Sequence, residues 1–337
     1  MYSPHWRLSR AVKILVVGPG AMGTLFAALL AFGGHQVTLL GRRPEVVETI
    51  NSEGVTVVRG RTRKTAPVRA ISAVGRADVA DLVLMCVKAF DTLQATRDAA
   101  RALGPEAPVM TLQNGLNNLE TIASVVGRER VIGGVTSQGA TLLAPGLVRH
   151  AGEGRTAIGE MDGKESPRLR SMADAFREAG IGVELSRSVD SLVWGKMVIN
   201  CSINPLSALL RVTNGQLLER QETRALLGAV AQESASVARA RGITLSYDDP
   251  VGRVETVCRL TAANRSSMLQ DIERGVRTEI EYISGAMVRE GDATGTPTPL
   301  NWTLLQLVRG LESFRAAPAP TWPAPPSGSE SGRPSRG

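Results

Sequence analysis

Between residue 12 and about residue 190, short apolar, β-branched runs alternate with segments of helical period, the pattern of a parallel α/β sheet covered by helices. Residues 13–17, 36–40, 82–87, 108–112 and 131–135 read as strands, and 21–32, 91–102 and 116–125 as helices between them. Shorter extended pieces at 146–150, 156–159 and 182–185 predict further strands added to the same sheet. From residue 191 onward the strands give way to helical patterns at 223–241, 262–271 and 276–290, which predict a second, all-helical domain. The expected organisation is an N-terminal extension (1–11), an α/β domain (12–190), a helical domain (191–315) and a tail (316–337). The tail is rich in Pro, Ser and Gly and too poor in apolar residues to pack, so it is expected to be disordered.

One helical pattern departs from simple amphipathicity. The segment 194–210, WGKMVINCSINPLSALL, reads as a buried helix that carries Lys196, Asn200 and Asn204 at i, i+4 and i+8, one stripe of a helix surface. The intervening Met197, Val198, Ile199, Cys201 and Ile203 are apolar, so the stripe faces a polar pocket rather than bulk solvent. A lone lysine there would more simply snorkel to the surface; two asparagines in phase with it weigh against that. The choice of cation is informative, because the chain holds 34 Arg and only five Lys. A desolvated ammonium releases its proton, whereas a guanidinium stays charged.

Composition narrows the classes. A length of 337 residues with 43% hydrophobic content is enough for two cored domains. No apolar run approaches the roughly 20 residues of a membrane span, and the N-terminus lacks a signal-peptide apolar core, so a soluble, cytoplasmic protein without a membrane partner is expected. Cys86, Cys201 and Cys258 stand in apolar contexts without CxxC or Cys/His spacing, and only His5, His35 and His150 are present, so neither disulfides nor a metal site is expected. The net charge of +7 comes from scattered arginines and no dense basic helix, so nucleic acid is not the expected partner; small anions are.

The strand at 13–17 runs directly into Gly18-Pro19-Gly20-Ala21-Met22-Gly23 and then a helix, the context that makes a GxGxxG motif a dinucleotide site. Gly18 permits the tight turn, Gly20 the approach of the pyrophosphate and Gly23 close helix–strand packing, with the phosphates at a helix N-terminus. At the end of the second strand, where NAD-binding folds place an acid, stand Arg42 and Arg43, which favour the 2′-phosphate of NADP(H). Lys88, Asn114 and Gly115 end later strands at the carboxyl edge of the sheet, where open α/β folds bind ligands.

Together GPGAMG, VKAF, QNGLNN, WGKMVINCSINPLSALL, TNGQL and NRSSMLQDIERGVRTEIEYISG resemble the ketopantoate reductase family across nearly all of residues 12–313. The resemblance implies a Rossmann-type NADP-binding domain followed by a helical domain, with the site between them, and NADPH-dependent reduction of 2-dehydropantoate to pantoate in coenzyme A synthesis. It implies Lys196 as proton donor, Asn200, Asn204, Asn214 and Ser267 as substrate contacts, and Glu279 as an acid near cofactor and substrate. It also implies Asn114, Lys88 and Ala140 at cofactor positions and Arg42 on the 2′-phosphate. Asn114 and Lys196 count among the substrate-binding residues as well. Without the motif, Ser267 would read as a small packing residue and Glu279, Glu281 and Glu290 as solvent-facing. Reduction of another branched 2-oxo acid is the neighbouring reading, and a non-catalytic NADP(H) sensor is the reading of a different class. The resemblance leaves a homodimer open.

Overall fold

The structure, a computed structural model, describes residues 11–75 and 79–316. The expected N-terminal extension, apart from Ala11, and the expected disordered tail, beyond Ala316, lie outside the described residues. The strands are β1 (Lys13–Val17), β2 (Gln36–Leu40), β3 (Val55–Arg59), β4 (Thr62–Ala66), β5 (Arg69–Ile71), β6 (Leu82–Met85), β7 (Val109–Thr111), β8 (Val131–Thr136), β9 (Gly139–Ala144), β10 (Leu147–Gly152), β11 (Thr156–Glu160) and β12 (Val183–Leu185). The first helices are α1 (Ala21–Phe32), α2 (Pro44–Glu53), α3 (Thr92–Ala99), α4 (Asn118–Val126) and α5 (Pro167–Glu178). From α6 (Val189–Leu210) onward follow α7 (Gln221–Ala240), α8 (Pro250–Leu260), α9 (Ser267–Arg274), α10 (Ser284–Thr294) and α11 (Pro299–Ala316), with no further strand among the described residues.

The main sheet has the order β12-β11-β8-β7-β6-β1-β2-β5. All its pairs are parallel except β8 with β11. Its central strands are apolar on both faces, as strands covered on both sides must be. Ile14 and Val16 of β1 and Leu82 and Leu84 of β6 point into one core; Leu15, Val17, Val83 and Met85 point into the other. In the first core Phe26 of α1 meets Phe176 of α5 with ring centroids 5.8 Å apart.

The expectation that 146–150 extends this sheet is corrected. That segment, β10, pairs with β9 and β3 in a separate four-stranded sheet ordered β4-β3-β10-β9. This second sheet packs on α1, which also packs on β1 and β2 of the main sheet, and cover by both sheets explains why AMGTLFAALLAF is apolar nearly all round.

In the helical half, Met197, Val198, Cys201 and Ile203 of α6 form a third core with Val230, Val254, Leu269, Ile280 and Met287. Leu116, from the loop after β7, inserts into this core and binds the two halves together. The continuous helix expected over 276–290 is broken. Ile283 adopts φ −105° and ψ −96°, and a short 3₁₀ turn at Ile280–Tyr282 precedes α10. The reason is tertiary: the Tyr282 carbonyl accepts a hydrogen bond from Leu116 N (3.2 Å) instead of continuing a helix, and Gly115 (φ +92°) leaves the room a Cβ would take from it. No described helix is long and apolar enough to cross a membrane.

Candidate active site

The glycine-rich turn shows a different steric reason at each glycine. Gly18 has φ +106°, and a Cβ there would stand 2.9 Å from Val87 Cγ1. At Gly23 a Cβ would collide with the Gly18 carbonyl oxygen. At Gly20, by contrast, a Cβ would meet nothing within 4 Å. The turn therefore needs Gly18 and Gly23 for its own packing and leaves Gly20 as an open cradle at the start of α1, whose first turn carries no acid. That combination fits a dinucleotide pyrophosphate. Pro19 packs against Gly41, fixing the end of β2 and Arg42 beside the turn. The Arg42 guanidinium donates from Nη2 to Asp91 Oδ2 at 2.7 Å.

At the carboxyl edge of β6, Lys88 from the sheet meets two acids from the helical half. It forms an ion pair with Asp271 of α9 and lies 3.5 Å from Glu279. Desolvation lowers the pKa of Lys88, but the charges of Glu279 and Asp271 outweigh it, so the net shift is upward. Both acids are buried; Asp271 is also held by Arg274 (2.8 Å), and Glu279 Oε1 accepts from the backbone amide of Ala89 at 2.9 Å. Glu279 is thus no solvent-facing helix residue. Glu290 is largely buried and paired with Arg241, which corrects its solvent-facing reading, whereas Glu281 pairs with Arg309 at the exposed surface.

Lys196 projects from α6 toward the last residue of β8, where Nζ donates to the Thr136 carbonyl at 2.9 Å. That carbonyl is steadied by the buried contact between the Thr136 and Thr156 hydroxyls at 2.9 Å. Burial pushes the Lys196 ammonium down to about 8, against the opposing charge of Glu279. Asn200 and Asn204 continue the stripe, Asn204 nearly buried, and among the described residues neither side chain has a hydrogen-bond partner. The preceding turn of α6 is tied down by Tyr247, whose hydroxyl donates to the Gly195 carbonyl at 2.7 Å.

The two serines at the start of α9 divide their work. Ser266 caps the helix, accepting from Leu269 N at 3.1 Å, and bonds the buried Ser207 hydroxyl of α6 at 2.6 Å. Ser267 is half-buried and takes no part in the cap. Asn214 is more committed: its Nδ2 donates to Thr261 Oγ1 at 2.9 Å, while its buried Oδ1 has no partner. Asn114 offers its carbonyl to Asn118 Nδ2 at 2.9 Å. Ala140 lies on β9 opposite His150 of β10, four residues beyond Thr136.

The structure thus joins Lys88 and Glu279 directly, sets Lys196 within reach of Glu279's charge, and places Arg42 next to the glycine turn. It adds residues that sequence reasoning missed: Asp271, Asp91, Tyr247 and the Thr136 carbonyl. Asp271 lies inside a quoted motif, yet nothing in the local pattern marks it as the partner of a lysine 183 positions away. For a main-chain carbonyl no sequence signal exists.

The sequence and the fold have counterparts among known proteins. The family model described as ketopantoate reductase PanE/ApbA matches residues 14–163, and the model of that family's C-terminal domain matches 188–312. The 2-dehydropantoate 2-reductase of Halobacterium salinarum is 40% identical over 303 residues, spanning 88% of this chain and 98% of the relative. Among solved structures, a PanE/ApbA family ketopantoate reductase from Ralstonia eutropha superimposes with a TM-score of 0.82 at 34% identity, over 90% of this chain and all of that one. A ternary structure of D-mandelate dehydrogenase with NADH and anilino(oxo)acetate gives a TM-score of 0.86 at 26% identity, over 91% of this chain and all of that one.

Proposed function

The chain belongs to the ketopantoate reductase family, and from that premise we propose that it reduces 2-dehydropantoate to (R)-pantoate with NADPH in the cytoplasm. The active site on this reading lies where the α/β unit of residues 12–190 meets the helical unit of 191–315. One observation carries the chemistry. Lys196 stands on a single stripe with the unpartnered Asn200 and Asn204, is hydrogen-bonded to the Thr136 carbonyl, and titrates near 8 through burial.

The open cradle at Gly20, within the turn Gly18, Pro19, Gly20, Ala21, Met22 and Gly23, fits the pyrophosphate of NADPH; Arg42 suits the 2′-phosphate, and Lys88, Asn114, Ala140 and Glu279 the remainder. When bound, NADPH supplies the hydride that reduces the C2 ketone. Lys196 holds its ammonium toward the ketone oxygen, stabilises the negative charge that develops there, and transfers a proton from Nζ to give the alcohol. Asn200, Asn204, Ser267 and Asn214 Oδ1 offer neutral donors and acceptors for the carboxylate and hydroxyl of the substrate. Glu279 keeps Lys196 from losing its proton too early while anchoring the amide of Ala89.

The likeness to D-mandelate dehydrogenase supports a second reading, reduction of a different 2-oxo acid by the same residues. NADPH oxidation measured with 2-dehydropantoate, 2-oxoisovalerate and benzoylformate separates the two, and highest kcat/KM with 2-dehydropantoate is expected. A clear preference for another oxo acid discards the substrate and keeps the chemistry. The donor must be protonated, so reduction should fall as pH rises through about 8; a rate flat to pH 10 would remove Lys196 from that role.

A further inference from the structure

The acid that NAD-binding folds carry at the end of β2, where it meets the ribose hydroxyls, is absent from β2 of this chain. A carboxylate nevertheless arrives at the same place from the turn after β6. Asp91, three residues beyond Lys88, accepts the hydrogen bond from Arg42 Nη2 at 2.7 Å. Asp91 is the last residue of the short 3₁₀ turn Ala89–Asp91 that runs into α3; its backbone is helical (φ −96°, ψ −6°), and its side chain makes no hydrogen bond to the first turn of α3 and is turned to Arg42. Arg42 is itself held beside the nucleotide turn by the packing of Gly41 on Pro19. The side chains of Arg42 and Asp91 are 68% and 29% exposed, so their pair is weak enough to open.

We propose that Asp91 is a coenzyme-selectivity residue. It stands opposite Arg42 at the adenosine ribose, accepts hydrogen bonds from the 2′- and 3′-hydroxyls of NADH, and opposes the 2′-phosphate of NADPH, so that the chain turns over both coenzymes. This rests on the reading of Arg42 as the 2′-phosphate partner. The competing role for Asp91 is to hold Arg42 ready for the phosphate, and magnitudes decide between them. An exposed ion pair preorganises little. A carboxylate about 5 Å from a phosphate of nearly two negative charges costs about tenfold in affinity even in a water-like dielectric.

The test is the ratio of kcat/KM for NADPH to that for NADH, measured at low ionic strength on the full chain, with coenzyme Kd from nicotinamide fluorescence. In Asp91→Asn the ratio should rise about tenfold, through tighter NADPH and weaker NADH, and Asp91→Ala should move it the same way. A ratio that stays constant or falls in both variants overturns the proposal. Arg42→Ser separates this from the underlying reading: if it leaves NADPH affinity intact, the assignment of Arg42 fails. If Arg42→Ser weakens NADPH while the Asp91 variants leave the ratio unmoved, only the role of Asp91 fails.

Discussion

Lys88 and Lys196 are two of only five lysines in a chain with 34 arginines, and their surroundings push them in opposite directions. Lys88 stands at the edge of a sheet with Asp271 and Glu279 against it, and its proton is held more firmly than usual. Lys196 emerges from an apolar helix onto a neutral carbonyl, and its proton is loosened to about 8. Glu279 acts on both, raising each, but only at Lys88 is it joined by a second carboxylate. The contrast shows how one side-chain type is held as a firm cation in one place and, on the proposed reading, made ready to give up its proton in another. What differs is the number of anions within contact after the cost of desolvation is counted.

The largest test of this contrast is removal of the labile proton. Lys196→Ala should lower turnover by roughly 10² or more while leaving NADPH binding nearly unchanged, as read by steady-state rates and fluorescence titration. Lys196→Arg should fail similarly, because a guanidinium keeps its proton. Unimpaired turnover in either variant would end the comparison. A smaller effect is expected at the permanent cation. Lys88→Gln should raise the KM for NADPH by about tenfold, the scale of one charge-assisted contact, with a lesser effect on kcat; a loss confined to kcat would make Lys88 a chemical rather than a binding group. The smallest difference separates the neighbouring serines. Ser266→Ala should destabilise the fold by about 1 kcal/mol as a lost cap, visible as a lower midpoint in urea. Ser267→Ala should leave that midpoint in place and raise the KM of the oxo acid a few-fold.

Local pattern revealed much of this molecule. The glycine motif was readable because its three constraints, φ at Gly18, openness at Gly20 and contact at Gly23, all arise within six residues and their flanking strand and helix. The stripe of Lys196, Asn200 and Asn204 was readable because helical period alone aligns it. By contrast, α2, α5, α8 and α11 and the hairpin of β3 and β4 were not anticipated. The segment 276–290 was misread because its apolar spacing suits a helix while the Tyr282 carbonyl is claimed by Leu116. Ser266 and Ser267 are chemically identical and adjacent, and only the helix start and the contact with Ser207 tell them apart.

The amino-acid sequence by itself determined the α/β unit followed by helices, the glycine-rich turn, and the set of polar side chains available for chemistry, because each of these follows from short-range sterics and periodicity. Tertiary structure alone decided that Asp271 and Glu279 neutralise Lys88, that Asp91 faces Arg42, and that Lys196 meets a main-chain carbonyl. Those outcomes are sums of charge and desolvation over residues dozens to nearly two hundred positions apart, and such sums exist only once packing has brought the partners together.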